Sequence, residues 1–302
     1  MAAQIRIGVS GWRYAPWRGA FYPEGLVQAK ELAFASHQFP AIELNGSFYA
    51  LQRPTSYAHW AADTPDGFVF TVKAPRYITH ILRLRDARAA VANFFASGLF
   101  ALGPKLGPIL WQLPPNLPFD ARLLEDFLAL LPHDTPSAAT LAQEREDRMQ
   151  GRELLKPACP WRVRHALEVR HESYRHPECI ELLRRHRVAL VVADTGGRWP
   201  ELGDVTADFM YLRLHGAQQL YASGYSDAQI AHWGERIRAW SHGRLPDGIE
   251  TAGPPAKEAG AKERDVFCFF DNTMKIHAPE NALRLAQYLQ LGTRLEAAAH
   301  GG

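Results

Sequence analysis

Ser10, Glu43, Asn45, Lys73, Gln112, Glu168, Arg170, Asp194, Arg213, His215, Asp271 and Asn272 share one property: each stands at or just past the C-terminal end of a short apolar run. Their types fit the handling of an anion. Arginines present planar forks to phosphate or carboxylate, and lysine adds a compact positive charge. Glu43, Glu168, Asp194 and His215 are the candidate catalytic groups, since carboxylates and imidazoles can move protons near neutral pH. Ser10, Asn45, Lys73, Arg76, Gln112, Arg170, Arg213, Asp271 and Asn272 are the candidate ligand-binding groups. Phosphoester hydrolysis, sugar-phosphate isomerisation and lyase chemistry are all compatible with such a set.

Three other readings use the same residues. Glu43, Glu168, Asp194, His215 and Asp271 could ligate a divalent ion that activates water, as in a metal-dependent phosphodiesterase or nuclease. Lys73, Arg170 and Arg213 stand at the same level, however, and would pair with those acids, so no metal is expected. A second reading is a self-satisfied ion-pair network that only fills the interior, an expensive way to build a core. A third is a noncatalytic module for single-stranded nucleic acid, with the aromatic loop Trp12 to Tyr22 as a stacking platform and Arg76, Arg83 and Arg85 along the backbone. The alternative reading of that loop, and the preferred one, is a lid packed on the body of the domain. The set calls for no organic cofactor.

The segments that must carry these residues alternate in type. Strand-like runs cover 5–10, 42–49, 68–73, 107–113, 166–170, 188–194, 209–214 and 266–270. Helical spacing occupies 27–39, the stretch after Pro54, 86–101, 120–131, 177–187, 227–240 and 279–291, with a polar helical stretch at 144–149 in a longer connection. In the run from Ile42 to Tyr49, alternation places Glu43, Asn45 and Ser47 on one side. Glu168 shares a face with Arg170, and Tyr211 with Arg213 and His215. Residues 196–208 are rich in Gly, Pro and Trp and leave little room for a helix. Residues 241–264 hold almost no large apolar side chain, so a disordered, mobile insertion is expected there.

With 302 residues, of which 47% are hydrophobic, the chain is long enough for one large core. A formal net charge of +2 signals no global polyanion binder, so any anion site is local. Cys159, Cys179 and Cys268 are far apart and form neither a disulfide framework nor a metal motif. No apolar run reaches membrane-spanning length and no secretory signal opens the chain, so the expectation is a cytoplasmic protein without a membrane partner.

Strands alternating with helices imply parallel pairing through right-handed crossovers. A single α/β domain over residues 1–302, a TIM-barrel-like (β/α) barrel lacking one outer helix before the seventh strand, would gather all the polar strand ends at one mouth. An open sheet would scatter most of them.

The chain also resembles the YecE-like family, known as domain of unknown function 72, from about Ile5 to Leu289. The resemblance rests on Gly8-Val9-Ser10-Gly11-Trp12, Glu43-Leu44-Asn45-Gly46-Ser47-Phe48-Tyr49, the run from Val72 to His80, Trp111-Gln112-Leu113-Pro114-Pro115, Glu168-Val169-Arg170-His171, Tyr211-Leu212-Arg213-Leu214-His215-Gly216 and Asn272-Thr273. It implies a TIM-barrel-like fold and no settled activity. Likeness of that fold to the endonuclease IV and xylose isomerase group is likeness of fold alone. The resemblance also implies Asn at position 271 and Gly at 276, where this chain has Asp271 and Ile276.

Overall fold

The short β-branched runs pair side by side in chain order. The computed structural model describes residues 3–216, 224–255, 263–272 and 277–292. Its strands are β1 (Ile5–Ser10), β2 (Ala41–Leu44), β3 (Val69–Lys73), β4 (Leu106–Gln112), β5 (His165–Glu168), β6 (Val188–Asp194), β7 (Phe209–Leu214) and β8 (Asp265–Phe270). Each is parallel to both neighbours, and β8 pairs with β1 to close the barrel.

Strand parity then divides the side chains. Met210, Leu212 and Leu214 of β7 point outward into the large core beneath the helices. Tyr211 belongs instead to a separate buried cluster with Ala41, Val69, Leu110, Ala166, Val191, Phe267 and Phe269. That cluster fills the inside of the barrel, and fully burying each large member contributes roughly 1.5–3 kcal/mol. Above it, toward the C-terminal ends, the interior turns polar.

The α-helices among the described residues are α1 (Glu31–Gln38), α2 (Gly46–Tyr49), α3 (Pro54–Ala62), α4 (Arg88–Ala96), α5 (Ala121–Leu130), α6 (Thr135–Ala142), α7 (Pro177–Arg185), α8 (Asp227–Ser241) and α9 (His277–Tyr288), with short 3₁₀ and π turns between them. Local chemistry sets several starts. Asp120 accepts from the Leu123 N–H at 3.0 Å to open α5, and Ser226 and Gln229 form a reciprocal capping box at α8. Among the described residues, no helix is long and apolar enough to cross a membrane.

Two segments differ from the sequence reading. The helix in the long connection lies at Thr135–Ala142, not around Glu144 to Met149, which holds only the 3₁₀ turn Asp147–Met149. Asp134 caps the earlier segment and Pro136 occupies its first turn, whereas Glu144, Arg145 and Glu146 engage Arg88, Glu153 and Asn93. The strand from Ile42 stops at Leu44, because Asn45 takes up helical backbone angles and begins α2.

Residues 195–208 contain no helix, as their composition predicts. The gap is covered from a distance, by residues 249–253 of the connection between α8 and β8. Ile249 lies on Gly203 so closely that a Cβ there would come within 2.3 Å of it. The Gly203 N–H donates to the Glu250 carbonyl at 2.8 Å, and buried Asp204 accepts from the Ala252 and Gly253 N–H groups at 2.8 and 2.9 Å. Gly253 in turn sits against Ile180 of α7. The expectation of a mobile insertion over 241–264 therefore needs correction for its first part. Composition weighs apolar side chains, but this stretch is held by one isoleucine and by its backbone donors. Residues 256–262 lie outside the described residues.

Candidate functional site

The polar level of the interior is organised by one side chain. Arg213, on the inward face of β7, is fully buried. Its Nε and one terminal nitrogen donate to both oxygens of Glu43 on β2, at 3.0 and 2.8 Å. The same terminal nitrogen reaches Asp271 beyond β8 at 2.7 Å, and the other reaches Glu168 at the end of β5 at 2.6 Å. Ser10 and the Tyr211 hydroxyl also donate to Glu43, the latter at 2.7 Å, and Thr71 lies 2.9 Å from the same hydroxyl. Gln112 stands 3.5 Å from the guanidinium.

Charge accounts for the protonation states. Burial works against the ionised Glu168, but Arg170 and Arg213 beside it hold its carboxyl well below the usual range. Asp271 is held low in the same way by Arg213 and His215. Burial likewise opposes the Arg213 charge, and Asp271, Glu43 and Glu168 more than compensate. His215 is wedged into the network, with Nδ1 3.0 Å from Asp271 and Nε2 3.4 Å from Arg213. Both ring nitrogens thus face partners, and the ring is fully buried.

Above this hub lies a second group of cations. Arg170 donates to Glu168 at 2.7 Å and covers the ring of Trp199 with its guanidinium carbon 3.9 Å from the centroid. Lys73 ends β3 with its Nζ 4.1 Å from the Phe48 ring centroid. Among the described residues no carboxylate lies within 4.0 Å of that ammonium. Burial, reinforced by Arg213, lowers the Lys73 pKa to about 8. His80 meets Phe48 edge to face, with ring centroids 5.2 Å apart, and burial followed by the Lys73 charge lowers its pKa to about 4.

Ser10, Glu43, Lys73, Gln112, Glu168, Arg170, Arg213, His215 and Asp271 therefore meet at one end of the barrel. Four further candidates do not join them. Asp194 is the main correction: the register sets Ala193 opposite Arg213, so Asp194 faces outward. There it accepts from the Tyr225 hydroxyl at 2.9 Å, the Trp233 indole at 3.2 Å and the Gly196 N–H at 3.2 Å. Asn272 also turns outward and donates to Asn281 of α9 at 3.2 Å. Asn45 has left the strand for the start of α2. Arg76 is exposed and lines a groove of about 580 Å³ beside the mouth, together with Tyr49, Tyr77 and Ile81.

The aromatic loop contributes packing. Trp12, Trp17 and Tyr22 are buried, with Trp12 edge-on to Trp60 and Tyr22 edge-on to Phe34, so these three rings offer no face to a base. Among the described residues no cluster of three His, Cys, Asp or Glu side chains could hold a metal ion, because a guanidinium separates the acids. Sequence reasoning missed Tyr211, Thr71, His80 and Trp199 as members of the site. Parity already placed Tyr211 on the Arg213 face, whereas nothing in the spacing flagged Trp199. Ile276 lies outside the described residues.

The profile of the family described as protein of unknown function DUF72 matches residues 6–300. The chain belongs to the DUF72 family. Its curated relatives include the UPF0759 protein YunF of Bacillus subtilis, 33% identical over 37% of this chain and 40% of that protein. The UPF0759 protein YecE of Escherichia coli K12 is 32% identical over 42% of this chain and 44% of its own. The match thus spans less than half the length of either relative. Among solved structures, the DUF72 protein TM1631 of Thermotoga maritima aligns with 95% of this chain and 99% of its own, at TM-score 0.69 and 24% identity. A DUF72 protein of Enterococcus faecalis, EF0366, aligns with 96% of each chain at TM-score 0.65 and 17% identity. These two show that the barrel is a DUF72 fold.

Proposed function

We propose that this DUF72 barrel is an enzyme that binds a small phosphate- or carboxylate-bearing ligand at the C-terminal mouth, held by Lys73 and Arg170 over the Arg213 hub. The observation that carries the reading is Lys73: a largely buried lysine whose ammonium has no carboxylate within 4.0 Å among the described residues, beside the positive charge of Arg213. An anion at the mouth would give that ammonium the direct partner it lacks there. Arg213 has a different role from the one its sequence position invites. Three carboxylates engage it, so it positions Glu168 and Asp271 and does not itself receive the ligand. The fold class supports a site at this end of the strands, and barrels of this kind carry their chemistry there.

Thermal unfolding in inorganic phosphate, sulfate and a panel of phosphorylated or carboxylated metabolites tests the reading. Stabilisation should be saturable, and at about 100 times the dissociation constant should reach roughly 2.7 kcal/mol. Lys73→Met should cut it to roughly 1.4 kcal/mol or less at the same ligand concentration while the protein remains folded. Anions that leave the melting of the intact protein unchanged, or stabilise both proteins equally, would sink the idea.

A further inference from the structure

Two lysines of the described chain are held in contrasting ways. Lys105 donates to the Ala61 and Thr64 carbonyls, each at 2.6 Å, and is a structural strut. Lys73 is 9% exposed, and no hydrogen-bond acceptor is found for its Nζ among the described residues. Its Nζ lies over the Phe48 ring, 4.1 Å from the centroid, and makes no direct ion pair among the described residues. Methionine would pack on that ring without the cost of desolvating a charge. The feature that Lys73 adds over methionine is an amine at the end of a barrel strand, facing the mouth.

We propose that Lys73 is a nucleophile that forms an imine with a small anionic carbonyl compound, a 2-oxo acid or a phosphorylated ketone. The proposal rests on the anion site above and narrows its ligand to one carrying a ketone or aldehyde. Charged groups act on the amine from several elements, Arg213 on β7, Asp271 beyond β8, Glu43 on β2 and Glu168 at the end of β5, and the titratable ring of His80 after β3 lies within its field. Desolvation and Arg213 lower the Lys73 pKa to about 8, so a fraction of the amine is free near neutral pH and more above it, the usual route to an activated lysine. Arg170 offers charge-assisted hydrogen bonds to the anionic group.

The step balances without a further reactant. The ammonium releases one proton to solvent, and the nitrogen lone pair forms the C–N bond as the carbonyl π pair moves to oxygen. A proton passes from nitrogen to that oxygen to give the carbinolamine. Uptake of one proton then expels the hydroxyl as water and leaves a protonated imine. That product again carries a positive charge at Nζ, within the field of ionised Glu168 and Asp271. A protonated imine accepts electrons from a bond to the adjacent carbon, so among the reaction types open to this site the inference selects lyase chemistry.

The full-length protein is incubated separately with pyruvate and with dihydroxyacetone phosphate, reduced with borohydride, and mapped by peptide mass spectrometry. The expected result is a reduced adduct at Lys73 from at least one of them. It should form faster at pH 8.5 than at pH 6.5, be absent in Lys73→Arg, and be suppressed by excess phosphate. Mapping the wild-type chain needs no variant to fold, so failure to label Lys73 with either compound overturns the inference, as does labelling spread evenly over the exposed lysines. The two readings separate cleanly. Anion stabilisation that depends on Lys73, without an adduct, removes the imine and leaves the anion site. A Lys73 adduct that phosphate neither suppresses nor stabilises leaves the nucleophile and removes the anion site.

Discussion

Replacing Arg213 by methionine would delete a counter-charge that three carboxylates share. The guanidinium makes contacts of 2.6 to 3.0 Å with Glu43, Glu168 and Asp271, and both it and Glu43 and Glu168 are fully buried. Removing one partner of a buried pair costs roughly 3–5 kcal/mol, because the remaining charge is left uncompensated. Hydrogen bonds to charged groups are worth about 1.5–3 kcal/mol each but do not add when they share one donor. We expect Arg213→Met to lose about 5 kcal/mol at pH 7, much of the stability of a typical domain. The pH dependence on the acid side should flatten. In the wild type, Glu168 and Asp271 have folded pKa values below their unfolded ones. Their stabilisation is therefore present above pH of about 4 and is lost as pH falls through the folded values. Without Arg213, burial and the neighbouring acids push Asp271 up while Arg170 still holds Glu168, so the variant should lose less stability than the wild type as pH falls below about 5. Urea unfolding from pH 3 to 8 measures both slopes. A variant within 1 kcal/mol of wild type at pH 7, with an unchanged slope, would refute the assignment of Arg213 as the hub.

Other outcomes follow from the same contacts. Anion affinity should fall as pH rises through about 8, where Lys73 loses its proton. Titration calorimetry at pH 8.5 in two buffers of different ionisation enthalpy should then register proton uptake on binding. Lys73→Met should weaken phosphate binding by about 10- to 100-fold, the equivalent of one charge-assisted hydrogen bond, as read by the same titration. Asp194→Ala should cost about 2–3 kcal/mol by stranding the donors of Tyr225 and Trp233, yet leave anion affinity unchanged. Asp204→Ala should destabilise by about 1–3 kcal/mol in urea and speed proteolysis near residue 250, since two buried backbone donors lose their acceptor.

The barrel was legible because its signals are local and repeated. Apolar runs of strand length, helical spacing between them and a polar residue at each run's end leave few topologies. The site was legible only as far as parity and level reach. Glu168 with Arg170, and Arg213 with His215, share faces as their spacing requires. Asp194 shows the limit, because strand-end position alone does not say whether a side chain points inward; only the pairing of Ala193 with Arg213 does. The role of Arg213 was hidden for a related reason. A strand-end arginine reads as a ligand fork until three acids from β2, β5 and the loop after β8 are brought around it, and no sequence spacing encodes that convergence. The packing of residues 249–253 escaped because backbone donors leave no trace in composition.

The covering of the helix-less connection has a consequence for how the molecule comes to be made. Most strands of the barrel are followed closely by a helix that shields their outer side, so each unit can be roofed soon after it is synthesised. Beside α7 this order is broken: Ile180, Gly203 and Asp204 wait for residues 249–253, which emerge roughly fifty residues later. A nascent chain that has completed β7 still carries an open seam there, with an unmet carboxylate and an apolar patch. Truncations ending before residue 249 inherit the same seam permanently, and the interval between β7 and residue 253 is where the growing protein most needs protection from its neighbours.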